Sequence, residues 1–503
     1  MDDRTIDDDF DLLETTVGEI HDAFEASTLT AAELAEAYLD RIAAHADDLN
    51  AVLTVNEGAL ARARELDERF EADGPVGPLH GIPTAIKDNH DTADMPTTAG
   101  SKLFAEFVPD EDAFVVERLR EAGAVILAKT NLQELSFGVD SVSSLGGETR
   151  NPYALDRRPS GSSGGTAAAV ASNLAAVGTG TDTCSSVRSP PAFTSLVGVR
   201  PTRGLVSRTG IVPLSATQDT AGPITRTVAD AARTLEAMVG YDPADPVTAL
   251  GVGEVPEEGY AAHLDADGLE GARIGVARDL FEVSDPENPA ADTAEAVEAV
   301  IEDAMEDLTA AGATLVDPVE VVDAETLDSA RVVGEEFERD FDAYLAAHED
   351  TPVDSLRELA ESGTMAPSVE ERVLDGGILG VAEGVDDDPE YQRALARRET
   401  IRTETVNRLV ADDLDALLYP PSMALPVEIP EHQPFSEMRC ELSAHTGLPS
   451  IVLPAGFAAG ENGGDLPVGF ELLGRPFDEP RLLELGYAYE RAAEPRRPPE
   501  RFA

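Results

Sequence analysis

Along the 503 residues the spacing of apolar positions switches several times between a helical and a strand-like period. Over residues 10–75 it is helical. Thr30 and Glu33 have the form of a capping box, and Leu34, Tyr38 and Ile42 follow four apart on one face. Two turn-rich clusters, 74–78 and 80–83, then lead into a short apolar run at 84–88. A second run, 124–128, follows a helical stretch carrying Phe114, Val115 and Leu119, which makes an αβ step. Further strand-like runs are 273–276, 416–419, 450–453 and 468–473, and helical periodicity returns over 292–311, 331–347 and 391–409. Helix and strand alternate over the whole length, which predicts α/β layers with helices on both faces of a sheet. There is no internal repeat. Residues 241–270 and 459–465 are rich in Gly, Asp and Glu and read as surface connections, too short to separate independent domains.

Composition narrows the class. With 42% hydrophobic residues the chain can bury a substantial core, and a formal net charge of −61 repels phosphate backbones and anionic lipid heads. Neither nucleic acid nor a membrane surface is expected as a partner. Lysine occurs only at Lys87, Lys102 and Lys129; the other side-chain cations are Arg and His. Excess carboxylate with so little lysine is what a soluble protein in very high salt is expected to carry, because screening there makes self-repulsion tolerable. Two cysteines, Cys184 and Cys440, exclude a disulfide framework. The acidic start of the chain has no apolar signal-peptide segment, and no apolar run is long enough for a membrane span, so a cytoplasmic protein is expected.

The chemistry concentrates in residues 158–204. Their Gly/Ser content suggests a flexible linker, but Thr166 and the alanines after it read as a helix start with Thr166 as candidate cap, and residues 175–180 as a small-residue strand. A helix of about nine residues advances roughly 13 Å and a strand of about five returns roughly 16 Å. The chain therefore doubles back and brings Ser185 and Ser186 near Ser162 and Ser163. Two serine-bearing loops in one cleft point to nucleophilic catalysis.

Three serine schemes compete. Gly161-Ser-Ser163-Gly-Gly165 formally matches the nucleophile elbow, with Ser163 attacking, but the polar, proline-bearing stretch 151–159 is not the strand an elbow needs. A Ser–His–Asp scheme would use His432 or His445, either of which could equally be a surface or packing residue. The third pairs serine with lysine. Arg cannot give up its proton at neutral pH, whereas a buried Lys can. Lys87 ends an apolar strand entered through a proline turn, so it should face inward; the competing role is a buried salt bridge with Asp88 or another carboxylate. The same role suits Lys102 and Lys129 better. Cys184 as nucleophile lacks an evident base.

These residues resemble the amidase signature family. The resemblance runs through Leu79 to Asn89, Thr97 to Ser101, Leu119 to Ala124, Lys129 to Asn131, the glycine–serine stretch, Pro213 to Ser215, Gly222 to Val228 and Gly447 to Gly456, with a looser match over 240–410. It implies one large α/β domain with a central mixed β-sheet covered by helices on both faces: an N-terminal helical segment (1–75), a catalytic core (76–240), a variable helical region capping the site (241–410) and a C-terminal part completing the sheet (411–503). It also implies a Ser–cisSer–Lys triad, with Ser186 as nucleophile, Ser162 as bridging serine after a cis peptide and Lys87 as base. The backbone N–H groups of Thr183, Cys184 and Ser185, together with that of Ser186, would form the oxyanion hole, with Ser163, Thr181, Asp182 and Arg188 as supports. The sequence departs from the family where it matters most: Cys184-Ser185 replaces the usual Gly-Gly, and Ser160 the first glycine of the other loop. A positive φ at 184 or 185 would then be costly, and a thiol and a hydroxyl lining the hole would narrow the substrate range.

The implied reaction is carboxamide plus water to carboxylate plus ammonia, on a small-molecule amide, with no metal or organic cofactor. A homodimer is compatible with this reading. Two alternatives stay open: the amidase subunit of a tRNA-dependent amidotransferase, which passes ammonia from glutamine to a partner, and a non-catalytic binding protein that kept the fold.

Overall fold

In the computed structural model, residues 5–6, 10–288, 292–381, 384–460 and 464–503 are described. Eleven strands form one sheet: β1 (Val52–Val55), β2 (Pro83–Lys87), β3 (Val125–Thr130), β4 (Val177–Asp182), β5 (Val197–Arg200), β6 (Thr220–Thr225), β7 (Arg273–Val276), β8 (Thr314–Val316), β9 (Ala416–Tyr419), β10 (Ser450–Ala459) and β11 (Asp465–Leu473). Their spatial order is β8-β7-β9-β11-β10-β5-β6-β4-β2-β3-β1. The sheet is mixed: β2 runs parallel to β3 and β4, and β7 to β8 and β9, while the strands between are antiparallel. Residues of β2, β3, β4, β6 and β9 are buried throughout, which requires cover on both faces. Flanking helices supply it, and the chain is a single α/β domain.

The helices are α1 (Val17–Glu25), α2 (Ala31–Leu49), α3 (Ala59–Asp73), α4 (Phe114–Glu121), α5 (Gly164–Ala171), α6 (Ser189–Phe193), α7 (Val228–Met238), α8 (Ala294–Ala310), α9 (Ala324–Asp328), α10 (Val333–Ala347), α11 (Leu356–Glu361), α12 (Pro367–Asp375), α13 (Pro389–Ala411), α14 (Glu441–Thr446) and α15 (Glu479–Ala493). The capping box at Thr30 and Glu33 forms, and Thr16 with Glu19 makes a second one at α1. Residues 10–75 are not all helical, because β1 lies within them. Its four residues are too few to display alternation, and it forms by pairing with β3 after Asn50 ends α2 in the left-handed conformation. Part of the connection read at 459–465, residues 461–463, lies outside the described residues.

The turn that positions the serines depends on glycine. A Cβ on Gly165 would lie 2.1 Å from the Asn131 carbonyl oxygen, and one on Gly180 would lie 2.7 Å from Ser163 Oγ. Without these side chains α5 starts against the chain leaving β3, and the loop before the helix sits against β4. Thr166 is not the cap. The helix starts at Gly164, and Thr166 Oγ1 donates to the Thr179 carbonyl 3.0 Å away. A separate apolar cluster joins α10–α12 through Phe337, Phe341 and Leu359 to Phe104, Leu135 and Leu214, and so seats these helices on the loops beside the site.

The expectation of a free thiol at Cys184 is corrected. Cys184 and Cys440 form a disulfide across 256 residues, with Cα atoms 4.9 Å apart. Separation along the chain hid the pairing, because Cys440 is brought back at the start of α14. Closing so long a loop restricts the unfolded chain, so reduction is expected to cost about 2–5 kcal/mol. Urea titrations with and without dithiothreitol check this; coincident midpoints would contradict it. Among the described residues no helix is long and apolar enough to cross a membrane.

Candidate active site

Lys87 closes β2 and is fully buried. Its Nζ lies 2.7 Å from Ser162 Oγ and 2.7 Å from Thr181 Oγ1. Thr181 also accepts from Asn89 Nδ2 at 3.0 Å. Burial pushes the amine down to about 7, against an opposing pull from Asp182 and Asp219. Among the described residues no carboxylate forms an ion pair with Lys87. Asp88, its neighbour in sequence, points away and pairs instead with Lys129, whose Nζ is 3.1 Å from Asp88 Oδ1. The salt-bridge role thus belongs to Lys129, and Lys102 is exposed. Lys87 is left among hydroxyls, where a neutral amine can accept a proton.

The Gly161–Ser162 peptide is cis, and the Ser162 carbonyl accepts from the Gln133 N–H at 3.0 Å. The two serine loops meet as the doubling-back requires. Ser160 Oγ donates to Ser189 Oγ at 3.0 Å, and Ser189 Oγ to Ser185 Oγ at 3.1 Å. Ser163 Oγ donates to the Thr181 carbonyl at 3.3 Å. Ser186 lies on the loop between β4 and α6, is 6% exposed, and forms no side-chain hydrogen bond among the described residues. Hydrogen bonding therefore joins Lys87 to Ser162 but does not extend to Ser186.

In the loop after β4, the N–H groups of Thr183, Cys184, Ser185 and Ser186 donate to no protein acceptor among the described residues, whereas that of Val187 is taken by Asp182 Oδ2 at 3.0 Å. Neither Cys184 nor Ser185 has a positive φ; the left-handed residue is Ser160, at φ 65°. The non-glycine pair before Ser186 thus sits in backbone that any residue adopts. The free thiol expected to line the hole is absent, because Cys184 is oxidised.

Beneath the loop lies a charged network. Asp182 sits between Arg188 (3.1 Å) and Arg200 (2.5 Å); burial alone would raise its carboxyl, and the two guanidinium groups outweigh that and hold it below the usual range. Arg188 continues to Glu471 at 2.9 Å, which also accepts from Tyr419 at 2.7 Å. Removing one partner of such a buried pair would leave an uncompensated charge, at a cost of about 3–5 kcal/mol. Arg200, Glu471 and Asn89 were not anticipated from the sequence. A lone carboxylate inside the apolar run 468–473 was the available signal for Glu471.

The histidine schemes do not form. His432 pairs with Asp140 at 2.5 Å and is exposed. His445 is driven down to about 3 by burial and by Arg398, Arg331 and Arg200, and neither ring bonds a serine. The nucleophile elbow also fails, since among the described residues no strand of the sheet lies between β3, which ends at Thr130, and Ser163. A cavity of about 100 Å³ adjoins Lys87's partners, lined by Asn89, Ser136, Thr181, Thr183, Leu214 and Asp219. It shares Arg208, Ile211, Pro213 and Ala216 with a larger cleft of about 770 Å³, to which α10 contributes Asp340 and Tyr344. Of residues 133–138 only Ser136 lines the cavity, and none of residues 436–446 does. No group of three or more His, Cys, Asp or Glu placed to hold a metal occurs among the described residues.

The family model described as amidase matches residues 33–483, including the stretch 240–410 where the motif match was loose. Among curated proteins, the A subunit of the glutamyl-tRNA(Gln) amidotransferase of Carboxydothermus hydrogenoformans is 36% identical, over 95% of this chain and 96% of its own length. A probable amidase of Arabidopsis thaliana is 34% identical over 98% and 93%. Among solved structures, native peptide amidase from Stenotrophomonas maltophilia has a TM-score of 0.82 at 37% identity, covering 97% of this chain and 98% of that one. The corresponding amidotransferase A subunit of Thermotoga maritima has a TM-score of 0.74 at 27% identity, covering 96% of each chain.

Proposed function

The chain belongs to the amidase family and is an amide hydrolase, and from that premise we propose that it cleaves a carboxamide to a carboxylate and ammonia through an acyl-enzyme on Ser186. The observation that carries this reading is a buried lysine, Nζ 2.7 Å from Ser162 Oγ, with no carboxylate partner among the described residues. Neutral Lys87 takes the proton of Ser162 as Ser162 takes that of Ser186. The Ser186 oxygen bonds to the amide carbon, and the N–H groups of Thr183, Cys184, Ser185 and Ser186, which have no protein acceptor among the described residues, receive the developing oxyanion; a well-placed donor of this kind is worth roughly 3–4 kcal/mol. An amide anion is too basic to leave. The proton passes back from Lys87 through Ser162 to the nitrogen, the C–N bond breaks, and ammonia departs. Water then adds to the acyl carbon along the same proton path and releases the acid. Thr181, Asn89 and the Asp182–arginine network hold these groups in place.

The test is ammonia release from a panel of aliphatic, aryl and amino-acid amides, run in multimolar KCl because a charge of −61 calls for screening. Since only the free amine is a base, kcat/KM is expected to rise with pH through about 7 and to fall about tenfold per pH unit well below it. A profile flat from about pH 5.5 to 8.5 would contradict a titrating Lys87.

A second reading is favoured by one observation, the 36% identity to the A subunit of an amidotransferase. Glutaminase activity that appears only with a co-purifying second subunit would establish it. Activity of the isolated chain on simple amides favours the first reading. So does the higher structural similarity to peptide amidase than to the amidotransferase protein, TM-scores of 0.82 and 0.74.

A further inference from the structure

The carbonyl of Thr183 and the N–H of Cys184 belong to one trans peptide, so they point in opposite directions. Whatever holds the carbonyl also aims the N–H. That carbonyl accepts a hydrogen bond from Gln218 Nε2 at 2.9 Å. From this geometry we infer that Gln218 is a positioning residue, which fixes the peptide plane so that the Cys184 N–H faces the reacting oxygen; the inference rests on the reading of Ser186 as nucleophile.

Three observations make Gln218 suited to the task. It is 1% exposed, so water does not compete for its amide. Its orientation is determined, because Arg398 Nη2 donates to the other end of the amide, and a guanidinium has no acceptor. The atom facing Arg398 is therefore Oε1, and Nε2 is left for Thr183. Its backbone is also pinned, since Arg200 Nη2 donates to the Gln218 carbonyl at 2.6 Å. The neighbouring Asp219 holds Thr183 from the other side, accepting Thr183 Oγ1 at 2.5 Å as well as the N–H groups of Leu214 and Ser215.

Arg398 belongs to α13 and also donates to Thr217 Oγ1 at 2.6 Å and to the Ala330 carbonyl at 2.8 Å. The anchor of the peptide thus reaches into a helix outside the catalytic core. A peptide free to turn would direct a carbonyl, in place of an N–H, at the developing negative charge.

The test uses the full-length chain and two variants. Gln218→Met keeps length and loses the donor. Gln218→Glu keeps the contact with Arg398 and places an acceptor against the Thr183 carbonyl. In both, kcat for the best amide of the panel is expected to fall roughly 10- to 100-fold with KM within about twofold, less than the 10²–10³ of deleting a donor outright. Phosphonylation of Ser186 by a fluorophosphonate, which displaces fluoride and leaves a tetrahedral adduct with its oxygen in the same hole, should slow by a similar factor. Folding is monitored by the thermal midpoint; if Gln218→Met does not fold, Gln218→Glu carries the test. An active parent with both rates unchanged in a folded variant overturns the role of Gln218 alone, as does a loss confined to KM. A parent that neither turns over amides nor is labelled at Ser186 overturns the underlying reading, and this inference with it.

Discussion

Replacing Ser186 by alanine is expected to lower kcat by roughly 10⁴- to 10⁶-fold, the scale on which removal of a covalent nucleophile acts. The same variant should be nearly as stable as the parent, because Ser186 forms no side-chain hydrogen bond among the described residues and so gives up no internal partner. Ser163 and Ser185 provide the contrast. Ser163 bonds the Thr181 carbonyl, and Ser185 is tied into the chain of hydroxyls through Ser189. Their alanine variants should lose little activity on this scale but some stability, of order 1 kcal/mol each. Steady-state rates and thermal midpoints of the three variants check the assignment. Loss of turnover on changing Ser163 or Cys184, with Ser186→Ala still active, would move the nucleophile elsewhere.

The second large effect has opposite signs in rate and stability. Lys87→Met should reduce kcat by about 10²- to 10⁴-fold, the range of general acid–base catalysis. It should also stabilise the protein at neutral pH. Holding Lys87 near 7 in the folded state, against 10.5 in the open chain, means the unfolded state binds more protons between these values. Stability therefore rises with pH across that window, and at or below about 7 the folded state bears a penalty of order 5 kcal/mol. Methionine removes the penalty and forfeits two hydrogen bonds worth about 1 kcal/mol each. The net expectation is a gain of roughly 1–3 kcal/mol at pH 7, read from urea unfolding, turning into a loss of about 1 kcal/mol at pH 10, where the penalty has almost vanished and the lost hydrogen bonds remain. A Lys87→Met protein that is less stable than the parent at neutral pH would show that the amine is a structural cation and not a dehydrated base.

The site was more legible in the sequence than the sheet around it. Scarcity of lysine, together with the apolar run that carries Lys87, singled that residue out on chemical grounds, and the helix read from Thr166 followed by the strand read at 175–180 brought the two serine loops together by length alone. Strands longer than their apolar runs, such as β10 and β11, were seen only at one end, 450–453 and 468–473, because pairing extends them into Gly- and Pro-containing sequence. What sequence could not give is what distance along the chain conceals. Cys184 meets Cys440 across 256 residues, Arg188 meets Glu471, and Arg398 reaches Gln218. The pairing of Asp88 with Lys129 had no local signature either. Lys87 adjoins Asp88 in sequence, yet the register of β2 against β3 is what brings Lys129 to it.

The account stands on one proton transfer, from Ser186 through Ser162 to an uncharged Lys87. The most direct measurement is the rate of fluorophosphonate labelling as a function of pH, with the modified residue located by peptide mass spectrometry, in the parent and in Lys87→Met. The expected result is a label on Ser186 whose rate rises through a single ionisation near 7 in the parent and is slow and without that ionisation in the variant. A label on another side chain, or equal rates and the same pH profile in both proteins, would contradict it.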